Sequence, residues 1–170
     1  MANILAVSDD RVSATRRIAA SAADLFGIIS DPTKQVEIDG SHMLVAAPNA
    51  KPLRAVGDSF DMDMDREALG DLPMGKYTVH NVVTKINPDS VLEWSVGSLE
   101  GGPYGHVYGY ELASVSESET DVTSYCDWSG FNFAALPEEI RAKLTFPVVP
   151  KMALITTLEK LDRVATQPAT

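Results

Sequence analysis

The residues from Lys151 to about Ala165 have the composition and spacing of a long amphipathic helix. An apolar stripe along it is formed by Met152, Ile155, Leu158, Leu161 and Val164, and it is widened by Leu154 and Ala165. A helix with so wide an apolar side must bury it against a large partner. The remaining chain offers only β-prone segments of sufficient extent, so we expect this helix to pack against a sheet.

The middle of the chain alternates apolar and polar residues with a period of two, which is typical of half-buried strands. Phe60, Met62 and Met64 alternate with three aspartates. A long β-prone run at 76–86 is closed by the turn signal Asn-Pro-Asp-Ser at 87–90, and further strands are expected at 91–96, 106–112 and 122–128. Short turns join these segments, which indicates an antiparallel meander.

Two short helices are expected between a first strand at 12–20 and this meander. Ser21 and Asp24 have the spacing of a capping box, and Asp31 followed by Pro32 ends one helix and can begin another. Gly40 then limits the second helix to a few residues. The order of elements predicts the α+β class, with a curved antiparallel sheet wrapped around the long C-terminal helix.

Length and charge narrow the function classes. The chain has 170 residues, about one domain's worth, and we expect a single domain at 11–166 with flexible ends at 1–10 and 167–170. Acidic residues outnumber basic ones by 24 to 14, so the net charge of −10 disfavours a nucleic-acid partner. No apolar stretch approaches the ~18 residues of a membrane span, and no secretory signal is present, so a cytoplasmic location is expected.

Four groups of residues, in order along the chain, carry a resemblance to a known family. They are Arg17-Ile18 with Ser21 to Phe26 and Ile29 to Pro32, the pair Val83 to Pro88 and Val91 to Trp94, Thr120 to Trp128, and Thr157 to Leu161. In this order they resemble the START-like (SRPBCC) superfamily, which includes polyketide cyclases and dehydrases, aromatases, lipid-transfer domains and the birch-pollen allergen type. The resemblance covers about 12–165. It implies a helix-grip fold with a cavity between the sheet and the C-terminal helix.

Metal and thiol chemistry find little support in the sequence. Asp61, Asp63 and Asp65 have a calcium-loop spacing, but Arg66 and Leu72 occupy the positions where such a loop needs Gly and Glu. We therefore interpret the aspartates as a solvated strand face and expect neither metal nor cofactor. The lone Cys126 lies in a β-prone stretch, where a cysteine is usually a small buried hydrophobe.

Three residues are candidates for proton transfer. His106, Tyr108 and Tyr110 share one face of a predicted strand, and the unperturbed pKa of histidine, about 6.5, suits an acid or a base near neutral pH. The alternative is a histidine that only orients a ligand. The face of His80 is ambiguous, and Asp127 is expected outside.

Aromatic residues concentrate in the second half of the chain, where eight of the twelve lie between Trp94 and Phe133. Together with flexible methionines they suit the walls around a ring-bearing or lipid-like guest. The expected ligand-binding residues are Phe60, Met62, Met64, Trp94, His106, Tyr108, Tyr110, Trp128, Phe131, Met152 and Ile155.

Three functions fit this interpretation. The favoured one is binding of a small apolar or aromatic molecule, lipid-like or polyketide-like, in an internal cavity. The second is an enzyme of the aromatase/cyclase or dehydratase type that uses His106, Tyr108 or Tyr110. The third is an interaction protein with a closed core. The sequence does not indicate the oligomeric state.

Three connections, at 68–75, 101–104 and 131–149, are expected to gate the cavity. In the last of them, Phe131, Phe133 and Phe146 are expected to form a lid.

Overall fold

A computed structural model describes residues 3–70, 72–143 and 148–167. In this part of the chain eight strands form one antiparallel sheet. The strands are β1 (Ile4–Val7), β2 (Arg11–Ile18), β3 (Leu44–Ala46), β4 (Ser59–Asp65), β5 (Lys76–Asn87), β6 (Val91–Ser98), β7 (Gly102–Ser116) and β8 (Glu119–Asp127). Their order across the sheet is β1-β2-β8-β7-β6-β5-β4-β3. The sheet is curved and unclosed.

The register shifts between four of the strand pairs, namely β3–β4, β5–β6, β6–β7 and β7–β8. Such irregularities bend the strands and increase their twist. The helices are α1 (Ala22–Ile29), α2 (Pro32–Ile38), α3 (Glu138–Lys143) and α4 (Val148–Thr166). Helix α4 packs against one face of the curved sheet, here called the inner face, and the arrangement fits a helix-grip fold, as predicted.

The two short helices begin where the sequence predicts. The Ser21 hydroxyl accepts a hydrogen bond from the Asp24 amide at 3.1 Å, and the Asp31 carboxylate accepts one from the Thr33 amide at 3.0 Å. Pro32 occupies the first turn of α2, where its missing N–H leaves no hydrogen bond unmade. After α2, the Gly40 amide donates to Thr157 Oγ1 on α4 at 2.9 Å, and a Cβ at Gly40 would lie 2.6 Å from the Thr157 nitrogen. The absence of a side chain at position 40 therefore lets the chain pass close to α4.

The apolar stripe of α4 differs from the predicted one. Leu154, Leu158 and Leu161 are buried, whereas Met152 is 67% exposed and Val164 is 40% exposed. Residues three apart on an α-helix drift by about 60° at each step, so a strict three-residue repeat leaves the buried side. The prediction that Met152 faces the interior is wrong for this reason, and Leu154 is central to the stripe rather than at its margin.

The sheet begins earlier than expected. The sequence predicts a flexible end at 1–10, but Ile4 to Val7 pair with β2 as an edge strand, with Ile4 opposite Thr15. Periodicity does not reveal this strand, because it is short and mostly exposed.

An ion pair between Arg16 and Asp162, at 2.7 Å, joins strand β2 to α4. Within the described residues, no helix has the length and apolar character needed to cross a membrane.

Candidate functional site

A cavity of about 400 Å³ lies between the inner face of the sheet and α4. Strands β4 to β8 form its floor, and Pro150, Ala153, Leu154 and Thr157 of α4 lie across it. Most lining residues are apolar or aromatic. This volume and this lining are typical of sites for small organic molecules.

Seven of the eleven residues expected to bind a ligand line this cavity. They are Met62, Met64, Trp94, His106, Tyr108, Tyr110 and Phe131. Strand alternation places six of them there, because every second residue points toward α4, and Phe131 lies in the connection after β8. Facing residues on adjacent strands then meet, and the rings of Trp94 and Tyr108, opposite each other on β6 and β7, stack with centroids 6.5 Å apart.

The other four expected residues lie elsewhere among the described residues. Phe60 is buried in the core, where its ring meets Trp94 edge-on at 5.9 Å. Trp128 is also buried, just beyond the end of β8, and Ile155 packs against the core as a half-buried residue. Met152 is exposed on α4. Their assignment to the cavity wall is therefore corrected.

One end of the sheet forms the mouth of the cavity. Here β4 ends, β5 begins and the β6–β7 hairpin turns, and the lining includes Leu69, Met74, Tyr104, Leu136 and Ile140. Met74 is 47% exposed and Tyr104 is 44% exposed. All three connections expected to act as gates contribute to this lining, although β7 already begins at Gly102 within the second of them.

An aromatic cluster surrounds His106 near the mouth. Its ring is parallel to that of Tyr104, with centroids 6.1 Å apart, and lies 5.7 Å from that of Phe131. Phe131 in turn contacts Phe133 at 4.7 Å. The third residue of the expected lid, Phe146, lies outside the described residues. The lid itself stays a prediction.

Burial controls the protonation of the three proton-transfer candidates. Desolvation, reinforced by the positive charge of Arg66, lowers the pKa of His106 to about 4, so its imidazole is neutral at pH 7. Burial raises the pKa values of Tyr108 and Tyr110 above that of a free phenol, so both hydroxyls stay protonated. Tyr108 lies opposite Cys126, and Tyr110 opposite Ser124, on the neighbouring strand β8. The three side chains are therefore uncharged polar groups in the cavity wall.

The remaining candidates lie away from the cavity or lack reactivity. His80 is on the outer face, where its Nδ1 is 2.7 Å from Asp61 Oδ1, and Asp63 accepts a hydrogen bond from Thr78 on the same face. Within the described residues, no three metal-binding side chains come together. Cys126 is fully buried, and burial raises the pKa of its thiol to about 12.

Asn81 lines the cavity and was missed by the sequence analysis. It is 3% exposed, and its side-chain oxygen Oδ1 has no hydrogen-bond partner among the described residues. The sequence did contain a signal, because Asn81 is the single polar residue between Val79 and Val83 on the inner face of β5. Arg66, which follows β4 at the mouth, was also missed as a lining residue.

Sequence comparisons with known proteins name no function for this chain. No family model matches the chain. The uncharacterized protein Rv0088 of Mycobacterium tuberculosis is 34% identical over 118 residues, which are 69% of this chain and 47% of that protein. The uncharacterized protein MT0096, from another strain of that species, is 33% identical over the same lengths. The chain thus spans about half the length of the curated relatives it matches.

Solved structures resemble this chain over nearly its whole length. A protein from Arthrobacter aurescens has a TM-score of 0.68 at 16% identity, covering 98% of this chain and 93% of its own. Protein CV1439 from Chromobacterium violaceum has a TM-score of 0.63 at 13% identity, with coverage of 95% and 100%. Protein Ms6760 from Mycobacterium smegmatis has a TM-score of 0.61 at 14% identity, with coverage of 100% and 99%. At these identities the likeness shows the fold alone.

Proposed function

We propose that this chain binds a small apolar or aromatic molecule, lipid-like or polyketide-like, in the cavity between the sheet and α4. We also propose that it belongs to the START-like superfamily. The observation that carries the proposal is the cavity of about 400 Å³, enclosed by aromatic and aliphatic side chains and reached through a mouth of partly exposed apolar residues. An apolar guest would gain free energy by burying its surface there.

The lining residues suit an irregular guest. Trp94, Tyr108 and Tyr110 present large apolar surfaces, and each has one polar group that can orient a ligand. Met62 and Met64 add flexible side chains that adjust to the shape of a guest.

Binding is favoured over acid–base catalysis by the protonation of the wall. A general acid or base works best when its pKa lies near the working pH. The pKa of His106 lies well below neutral pH, and the pKa values of Tyr108 and Tyr110 lie well above it. Each of the three is therefore better suited to hydrogen bonding with a guest than to exchanging protons with it.

Native mass spectrometry of freshly purified protein tests the proposal. We expect a co-purified guest, or a rise in melting temperature with members of an apolar and aromatic compound library. Val96 lines the cavity, so Val96→Trp should fill it and abolish both signals. Met152→Trp introduces the same side chain on the exposed side of α4 and should preserve them. The proposal fails if the wild-type protein gives neither signal, or if Val96→Trp binds as well as Met152→Trp.

A further inference from the structure

The side-chain oxygen of Asn81 is a buried hydrogen-bond acceptor that the described protein residues leave unpaired. A buried polar group without a partner destabilises the fold, so native structures contain few of them. Asn81 is 3% exposed and its side chain borders the cavity. A group inside the cavity is therefore in a position to reach it.

The surroundings of Asn81 on the sheet are apolar. Its partners on the neighbouring strands are Phe60 of β4 and Val96 of β6, and its neighbours on the inner face of β5 are Val79 and Val83. None of these four side chains can donate a hydrogen bond.

Asn81 also lies far from the mouth. Tyr77, near the start of β5, is four residues away, which corresponds to about 13 Å along a strand. Arg66, which follows β4, lies at that same end, because the last residue of β4 pairs with the first residue of β5. The acceptor is thus deep in the cavity, and the positive charge of Arg66 is near its entrance.

We propose that Asn81 Oδ1 accepts a hydrogen bond from the buried end of the guest. This inference rests on the proposed binding function and narrows its ligand class. The guest is an apolar or aromatic molecule whose leading end carries a hydroxyl or N–H group, as in a phenol, an alcohol or an amide. A hydrocarbon or an ether leaves Asn81 Oδ1 unpaired. An ionised carboxylate at this end would place a charged acceptor against a neutral acceptor in an apolar environment, which is costly.

Calorimetric titration with three matched probes tests this proposal at pH 7.5. The probes are 2-naphthol, which has a donor, 2-methoxynaphthalene, which has the same ring system without one, and 2-naphthoate, which is an ionised acceptor. We expect the wild-type protein to bind 2-naphthol about tenfold more tightly than the ether, the scale of one hydrogen bond to a buried group. The carboxylate should bind more weakly than 2-naphthol.

Two variants test whether Asn81 causes the preference for 2-naphthol over the ether. Asn81→Leu should bind the naphthol and the ether with equal affinity, because the acceptor is gone. Thr78→Val removes a hydroxyl from the outer face of the same strand, away from the cavity lining, and should keep the tenfold preference. If Asn81→Leu does not fold, NMR of the wild-type protein replaces it. The hydroxyl proton of bound 2-naphthol should then show a nuclear Overhauser effect to the Asn81 side-chain amide protons, and its absence overturns the assignment.

The failure of this inference differs from that of the proposed function. If both naphthalene probes bind with equal affinity, or if Asn81→Leu keeps the preference, the assignment of Asn81 is overturned while apolar binding stands. If none of the three probes binds, the assignment of Asn81 is overturned, and the proposed function is contradicted with it when the wild-type protein also gives neither a co-purified guest nor a rise in melting temperature.

Discussion

The aromatic ring of Tyr125 lies across Gly109 on the outer face of the sheet. The two residues are opposite each other on β8 and β7, and a Cβ on Gly109 would overlap the ring and lie 2.5 Å from the Tyr125 hydroxyl oxygen. The Arg11 guanidinium lies over the same ring, 3.9 Å from its centre. Tyr125 is consequently only 1% exposed.

Replacing Gly109 with alanine should destabilise the fold. The added methyl group must displace the Tyr125 ring, and overpacking of this kind costs about 1–3 kcal/mol in free energy of unfolding. Urea denaturation measures the change. Gly27→Ala is the matched control, because nothing lies within 4 Å of a Cβ built there in α1, and it should be neutral or stabilising. Equal stabilities of the two variants would contradict the packing described here.

The hydroxyl of Tyr125 holds a buried carboxylate on the same face. It donates to Glu93 Oε1 at 2.7 Å, and Thr84 donates to Oε2 at the same distance. Tyr125→Phe should therefore lower the free energy of unfolding by about 1–3 kcal/mol, since it removes a hydrogen bond to a buried carboxylate oxygen whose other partner, the Lys85 ammonium, is 3.7 Å away. Tyr104→Phe removes an exposed hydroxyl and should change stability by less than about 0.5 kcal/mol. A loss in Tyr125→Phe no larger than this control would show that the hydrogen bond adds nothing.

The stability of the protein should depend on pH through His106. Its pKa is about 4 in the folded state against an ordinary value of 6.5, so the unfolded chain binds more protons between these two values. Stability is therefore complete above about pH 6.5 and falls as the pH drops toward 4, by up to about 3 kcal/mol from this residue. Urea denaturation between pH 4 and 7.5 measures the slope. His106→Gln should have a shallower slope over this range, and identical slopes would contradict a depressed histidine pKa.

Local signals in the sequence were sufficient for most of the fold. Ser21, Asp31 and Pro32 mark helix starts with side chains that act on their own backbone, and the alternation in β4 and β5 is visible without knowledge of the tertiary structure. Strand β1 was missed because an exposed edge strand needs little apolar patterning. Its place is determined by pairing with β2, which is a tertiary property.

The candidate site was less accessible to sequence reasoning. Periodicity identified the inner face of each strand, and this placed Met62, Trp94 and Tyr110 correctly. It could not distinguish a residue that borders empty space from one that packs against a neighbour, so Phe60 was assigned to the cavity. Asn81 was overlooked because its importance lies in a missing hydrogen bond, which only the three-dimensional surroundings reveal.

Which side of α4 faces the core can be tested by shortening one side chain on each side of the helix. Leu158 is fully buried, so Leu158→Ala should cost about 2–5 kcal/mol in free energy of unfolding through lost contacts and a new cavity. Met152→Ala shortens a side chain that is 67% exposed and should cost less than about 0.5 kcal/mol. Chemical denaturation of both variants measures the difference. A large loss at Met152 would restore the three-residue stripe and contradict the register described here.

The segment at 131–143 should open independently of the sheet and close over a guest. At its start Gly130 lies against Gly105 of β7, where a Cβ on Gly105 would be 2.9 Å from the Phe131 Cα, so this point is anchored. Beyond it, α3 has only six residues and buries none of them, which is too little for a helix to be stable alone. Hydrogen exchange should therefore show opening free energies near zero in α3, while β8 exchanges only on global unfolding. If release of 2-naphthol requires this opening, exchange in α3 should slow by about a hundredfold at a probe concentration 100 times its Kd. Protection in α3 equal to that of β8 without the probe, or unchanged by it, would rule out a lid at this segment.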